Sequence, residues 1–376
     1  MDNAATPDET AAAPTVVKLS SAPDILGMLP HRLGFHPHES LVAISLKGPR
    51  RRDQVVMRAD LPSRADEPAF AEQIAGQLHH LESDAAVLVC YTDERPPVRS
   101  LQRARLVRQL KGRLRQLGID LVEALLVHDG RWWSYLCDNP GCCPPGGAVI
   151  DSELTPAALR FAAEMVARGG VVRDSRDSLA ASIEALPGLA DEVDTDDPEV
   201  DAFEGYELDD EWWANVACSS TVPPVVELVE GLWDRWAGGD CAVSDDEVRR
   251  VARDLWGPIA RMHCLTLVLD GDPEERGVLV AMFTELARRT PDRLAGPVCS
   301  LLGWYAQAAG DGALALVAAD RSSRCQPDNA LAAIVLGNAS GLTRPAQVLE
   351  SAARIRDTLD RLATEGVAGE WADGAA

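Results

Sequence analysis

The sequence predicts a two-part protein, an α/β unit followed by an all-α, TPR-like helical unit. Three observations carry that expectation. Strand-like and helix-like segments alternate through the first half, the pattern of a mixed sheet flanked by helices. A dense acidic run interrupts the chain at Asp191–Asp210. From Pro223 onward every periodic segment is helical. At 376 residues the chain exceeds one ordinary core and suits two. The expected division is a disordered tail over 1–14, an α/β domain over 15–190, a linker over 191–210 and a helical domain over 211–376.

The elements follow in order. Thr15–Leu19 reads as a short strand, and Pro23–Leu29 as a brief helix stopped by Pro30. Ser40–Lys47 and Gln54–Asp60 read as strands joined by a Gly48-Pro49 turn. Pro68–Leu81 is a helix with proline at its start, where the missing N–H costs nothing. Ala85–Tyr91 is a continuous apolar run of strand length, as in a strand buried on both faces. Ser100–Leu117 is a helix ended by Gly118. Ile119–His128 and Arg131–Leu136 are strands joined by Asp129-Gly130, a dipeptide suited to a turn with two positive φ angles. Thr155–Arg168 and Ser178–Leu186 are helices. The acidic run repels itself and cannot bury enough apolar surface to fold alone. Beyond it, Ser244 and Glu247 form a capping box. Helices are expected over Asp245–Trp256, Pro258–Leu269, Pro273–Arg289, Asp292–Ala309, Gly312–Cys325, Asp328–Gly337 and Pro345–Ala363. Leu302, Gly303, Gly310, Ala315 and Pro327 fall at the spacing of one tetratricopeptide unit. Cys299 and Ala306 stand where that pattern has aromatic residues.

Charge and cysteine narrow the function classes. The net charge is −23, unevenly spread. The first 190 residues carry 21 basic and 24 acidic side chains, the rest 15 and 35. The second half therefore lacks the cations that displace counterions from nucleic acid or an anionic membrane. The abundance of alanine and arginine beside only Lys18, Lys47 and Lys111 points to a GC-rich genome. No apolar stretch is long enough to span a bilayer, and the acidic N-terminus lacks the features of a secretory signal. A cytoplasmic location is expected. Nine cysteines without an export signal argue for reduced thiols or a metal site over a disulfide framework.

Three stretches carry a family resemblance. The first is Leu29 to Val42 (LPHRLGFHPHESLV). The second is Asp60-Leu61-Pro62, closing a strand. The third is Asp129 to Cys137 (DGRWWSYLC), running on to Gly141-Cys142-Cys143-Pro144. With the Gly310-Asp311-Gly312 turn, they resemble the DUF4192 family along most of the chain. Histidine at 31, 36 and 38 lies outside that pattern. The resemblance implies no particular activity, cofactor or catalytic residue.

Several constellations could carry chemistry. Cys137, Cys142 and Cys143 sit in a loop hemmed by proline and glycine after a strand. Thiolates bind zinc tetrahedrally, and Cys90, ending a neighbouring strand, is a candidate fourth ligand. The competing reading is a rigid turn whose small thiols pack on Trp132 or Trp133. His31, His36 and His38 offer a second zinc candidate, against a proline-shaped entry into the next strand. On the 100–117 helix, Leu106, Leu110, Leu114 and Leu117 form a core stripe. Arg99, Arg103, Arg105, Arg108, Lys111, Arg113 and Arg115 cover its other faces. That side is a solvated face or an anion-docking face, for the acidic linker first and nucleic acid second. Trp212, Trp213, Trp233, Trp236, Trp256 and Trp304 read as core at helical spacing rather than as binding anchors. Walker, GxGxxG, HExxH and G-x-S-x-G motifs are missing.

The reading that follows is a non-enzymatic adaptor with a protein partner. It would bind on the stacked helices or on a head surface built from Gly34, Phe35, Pro37, Ser40, Asp60, Asp129, Gly130, Arg131, Trp132 and Tyr135. The alternative is an enzyme or a metal- or ligand-binding protein. Its site would gather Asp60, Cys90 and the Cys137–Cys143 loop at the C-terminal strand ends, where α/β sheets bind ligands.

Overall fold

The computed structural model describes residues 21–94, 101–151, 153–167, 170–186, 222–340 and 343–365. The expected Thr15–Leu19 strand, the N-terminal tail, the acidic linker and Trp212–Trp213 lie outside them.

The head is a six-stranded sheet in the order β2-β1-β3-β4-β5-β6. Its strands are β1 (Ser40–Lys47), β2 (Arg52–Asp60), β3 (Ala85–Tyr91), β4 (Asp120–His128), β5 (Arg131–Ser134) and β6 (Ala148–Val149). Among the described strands only β3 and β4 pair in parallel, and the crossover between them contains α3 (Ala104–Gln116). Side chains alternate between faces along each strand. Leu41, Ala43, Ala86, Leu88, Cys90, Ala124 and Leu126 pack under α2 (Glu67–His80) and α3. Val42, Ile44, Leu46, Val87, Val89 and Leu125 face the other way, onto α1 (Ala22–Leu33). The unbroken apolar run of β3 is thus buried on both faces, as its sequence predicts.

The hairpin turn at Asp129-Gly130 has both residues at positive φ, 47° and 67°, matching the expected primed turn. Several boundaries differ from expectation, the Ser178–Leu186 helix among them, which is instead Arg176–Ala181. α1 runs through Pro30 to Leu33, closed by Gly34 in the left-handed region. A proline in the last turn removes its own N–H, and buried Leu29 and Leu33 hold the turn. α3 begins at Ala104 because Arg103, at φ 56°, cannot be helical. β6 is a two-residue strand that carries no period to read.

α4 (Pro156–Ala167) lies on α1, where Thr155 accepts from the Ala158 N–H and donates to Asp24. α5 (Arg176–Ala181) leads toward the helical region. That region holds α6 (Pro224–Ala237), α7 (Asp245–Asp254), α8 (Pro258–Thr266), α9 (Pro273–Arg289), α10 (Asp292–Ala309), α11 (Gly312–Cys325), α12 (Ala330–Ser340) and α13 (Pro345–Glu365). α10 is its axis, buried from Leu294 to Ala308. The Trp304 indole donates to the Leu265 carbonyl and the Tyr305 hydroxyl to that of Cys264. A Cβ on Gly303 would lie 3.2 Å from the Ala315 carbonyl oxygen, so α10 and α11 approach as closely as their small residues predict. Trp233, Trp256 and Trp304 are buried, as core residues.

One apolar cluster joins the two parts. It runs from the α1 face of the sheet through Leu179 and Ile183 into the helical core. Polar contacts reinforce the junction. Leu186 N–H donates to the Arg288 carbonyl at 2.8 Å, and Arg176 pairs with Asp320 at 2.9 Å.

Candidate functional site

The C-terminal end of β3 is the most polar corner of the head. Glu39, held at φ 41° just before β1, accepts from the Thr92 hydroxyl at 3.0 Å and the Asp93 N–H at 2.5 Å. His38 Nε2 lies 2.7 Å from the Asp93 carboxylate. His128, ending β4, donates from Nδ1 to the Thr92 carbonyl at 2.8 Å. Beneath this rim lies a buried ion network. The Arg103 guanidinium donates to the Pro62 carbonyl at 2.8 Å, to Glu67 at 3.3 Å and to Glu94 at 2.5 Å. The Glu67 side chain is 0% exposed, and Arg64 reaches it from outside. The left-handed backbone at Arg103 is the strain that places its side chain between two carboxylates. These groups mostly satisfy one another, which makes the corner a brace.

The predicted surface residues distribute around this corner. Gly34 and Phe35 meet Arg173, whose N–H donates to the Gly34 carbonyl at 2.8 Å. Phe35 is buried with the Arg58 guanidinium over its ring, and Pro37 is half-buried. Ser40 pairs across the sheet with Asp60 and with Tyr91. Asp60 binds Arg58 at 2.6 Å. The Ser40 hydroxyl is buried and has no partner among the described residues. The three histidines do not converge. His31 stays in α1, its imidazole pushed down by burial and then by His36, while His38 joins Glu39 and Asp93.

The thiol loop lies elsewhere. Tyr135 N–H donates to the Ala124 carbonyl, so the chain after β5 runs back along β4, away from its C-terminal end. The structure therefore separates the expected gathering of Asp60, Cys90 and the cysteine loop at the strand ends. Asp60 and Cys90 pair with β1, whereas Cys137 lies beyond the far end of β5. Cys90 is fully buried, its thiol pushed up to about 12 by burial. It contacts Tyr135, whose hydroxyl donates to the Gln102 carbonyl at 2.5 Å. It is not in the thiol group.

That group is Cys137, Cys142 and Cys143, whose sulfurs all lie within 4.8 Å of one another. The Cys137 and Cys142 sulfurs are 3.4 Å apart. The Asn139 carbonyl accepts from both Cys142 N–H and Cys143 N–H, turning adjacent thiols inward. Glu123 accepts from the Ser134 hydroxyl, which in turn accepts from Leu136 N–H and Cys137 N–H. On the return side, Arg131 donates to the Gly147 carbonyl and the Trp133 indole to that of Pro145. A Cβ on Gly147 would sit 2.4 Å from the Trp133 ring. Trp133 therefore packs on the loop backbone, whereas Trp132 packs on the core of the α1 face. Cys137 is pulled down, first by a backbone bond from Asn139 and then by the other two thiols. Cys143 is pushed up by burial and by the same neighbours.

On α3, Leu106, Val107, Leu110 and Leu114 are buried, in line with the expected stripe. Leu117 is 38% exposed instead, because the helix ends before it. Arg103 belongs to the buried network and Arg113 pairs with Glu72. Arg105, Arg108, Lys111 and Arg115 remain exposed.

The helical region has a cavity of about 280 Å³ lined by Glu230, Trp233, Asp234, Ala237, Leu267, Asp270 and Glu275. The first four share one face of α6, spaced i, i+3, i+4 and i+7. Trp233 forms the floor, its indole donating to the Glu275 carbonyl at 2.9 Å. Arg356 holds Asp270 through both carboxylate oxygens. Glu230 is pushed above the ordinary carboxylate range, first by burial and then by Asp270, Asp234 and Glu227. The α6 spacing could have revealed this face in the sequence. Nothing periodic marks the Asp270 side.

A mixed-sheet head sharing its core with a helical region, with a braced thiol loop at the sheet edge, defines the class of protein. The chain belongs to the DUF4192 family, described as a domain of unknown function, whose model matches residues 23–346. No curated protein and no solved structure matches the chain. Among the described residues, no helix is long and apolar enough to cross a membrane.

Proposed function

We propose that the protein is a non-enzymatic adaptor whose helical region takes a basic segment of a protein partner. The observation that carries this reading is the acidic cavity over Trp233. Glu230 and Asp234 stand at its α6 wall, so an arginine or lysine side chain entering it meets carboxylates and an indole edge. Such contacts contribute roughly 0.5–2 kcal/mol each when partly desolvated. The excess of acid in the second half steers a cationic segment toward it. The spacing of Leu302, Gly303, Gly310, Ala315 and Pro327 supports a TPR-like hairpin of α10 and α11 as the scaffold. A cytoplasmic setting accords with this reading.

The alternative, an enzyme at the strand ends, has less support. The ionisable groups at the end of β3 are largely engaged with each other.

The test is fluorescence anisotropy of a labelled peptide alternating arginine and lysine with alanine, against its glutamate counterpart. Binding of the basic peptide alone, weakened about tenfold in Glu230→Gln/Asp234→Asn, supports the reading; tenfold corresponds to ~1.4 kcal/mol. Equal binding by wild type and variant contradicts it.

A further inference from the structure

We propose that Cys137, Cys142 and Cys143 form a binding site for a thiophilic d10 cation, zinc first, with one coordination position open to solvent. This does not depend on the adaptor reading. Zinc–thiolate bonds of about 2.3 Å put tetrahedral sulfurs about 3.8 Å apart. The three sulfurs, all within 4.8 Å with one pair at 3.4 Å, bracket that spacing. Closing on a metal requires shifts of well under the length of a side chain.

The backbone already supplies the support that a metal site needs. Metal ligands are commonly fixed by a further layer of hydrogen bonds. Here Glu123 orients Ser134, and Ser134 anchors the Cys137 backbone. The Asn139 carbonyl presents Cys142 and Cys143 from a single turn. Arg131 and Trp133 pin the return strand at Gly147 and Pro145. A turn that only packed apolar thiols would bury them; here Cys142 is exposed and the other two are half-exposed. Three protein ligands plus water is the arrangement of zinc sites that keep an exchangeable position. Binding exchanges thiol protons for the metal, so protons are released on loading.

The experiment uses full-length protein, stripped of metal under a non-thiol reductant and titrated with cobalt(II). The expected result is sulfur-to-cobalt charge transfer with tetrahedral d–d bands, saturating at one equivalent and bleached by zinc. Cys241→Ser, a substitution at an exposed cysteine outside the group, leaves the bands intact. Cys137→Ser/Cys143→Ser abolishes them. Wild-type protein provides a control independent of any variant's folding. Zinc slows alkylation of Cys137, Cys142 and Cys143, read by peptide mass, and leaves Cys241 unaffected. No charge transfer at excess cobalt, bands that survive in the double variant, or alkylation indifferent to zinc would each overturn the proposal.

Discussion

The Arg321 guanidinium on α11 donates to the Ile183 carbonyl, 138 residues earlier in the chain. It also donates to the Ala287 carbonyl at 2.7 Å, the Thr290 carbonyl at 3.1 Å and the Asp292 carboxylate at 2.9 Å. The Arg321 side chain is wholly buried. It thus fastens the segment after α5 to the α9–α10 corner, and with it the head to the helical region. Arg321→Met removes the guanidinium donor from the Ile183 and Thr290 carbonyls, leaves the Ala287 carbonyl with the Thr290 N–H alone, and deprives Asp292 of its cation. The expected loss is about 3–5 kcal/mol, measured by urea unfolding with far-UV circular dichroism. A loss under about 1 kcal/mol would show that water replaces the guanidinium.

Arg103 and Arg108 look equivalent in sequence, five residues apart on one basic helix, yet their environments differ. Arg103→Ala leaves the buried Glu67 carboxylate with only the 3.5 Å contact to Arg64, for an expected cost of about 3–5 kcal/mol. Arg108→Ala alters only an exposed cation, and its expected effect lies within ~0.5 kcal/mol. Denaturation midpoints of the two variants check the difference; equal midpoints would refute the buried network.

His31 gives the fold an acid-sensitive element. Burial, then His36, lowers its pKa from 6.5. The unfolded chain therefore binds a proton more readily than the folded one. The stabilisation is full above about pH 6.5 and is lost as the pH falls through the lowered folded value. His31→Gln flattens this part of the stability profile on the acid side of about pH 6.5. Parallel profiles for wild type and variant would exclude His31 as a contributor.

The groove carries a pH signature of its own. Glu230 is raised by burial and by neighbouring carboxylates, so it takes up a proton at higher pH than an ordinary glutamate. A cation is attracted only by the charged form. Affinity for a basic peptide therefore falls as the pH drops through that raised value, and Glu230→Gln removes this component. Anisotropy titrations at stepped pH follow it; an identical pH dependence in the variant would count against Glu230.

Much of the architecture was legible because period and punctuation agreed. β3 announced its double burial by an unbroken apolar run, and Asp129-Gly130 announced its turn. The starts of α9, α10 and α11 fall where their sequence marks placed them. Pro30 misled because the burial of Leu29 and Leu33 beside it carries the helix past the lost N–H and the ring's clash with the Leu26 carbonyl. The site was harder to read. Glu39, Asp93, Glu94 and Glu67 meet through long-range strand pairing, and no spacing within one element marks them. Cys90 looked close to the thiol loop because both adjoin strands, but sheet register carried the loop back along β4. Around α3 the sequence could show the seven cations from Arg99 to Arg115 and not that Arg103 is the buried one.

The most direct measurement is photo-crosslinking of a basic peptide carrying a benzophenone, with the adducts located by peptide mass spectrometry. The account predicts adducts on α6 between Glu230 and Ala237 and on the Leu267–Glu275 segment, suppressed in Glu230→Gln/Asp234→Asn. Adducts confined to the head, or scattered over the acidic surface without change in the variant, would contradict it.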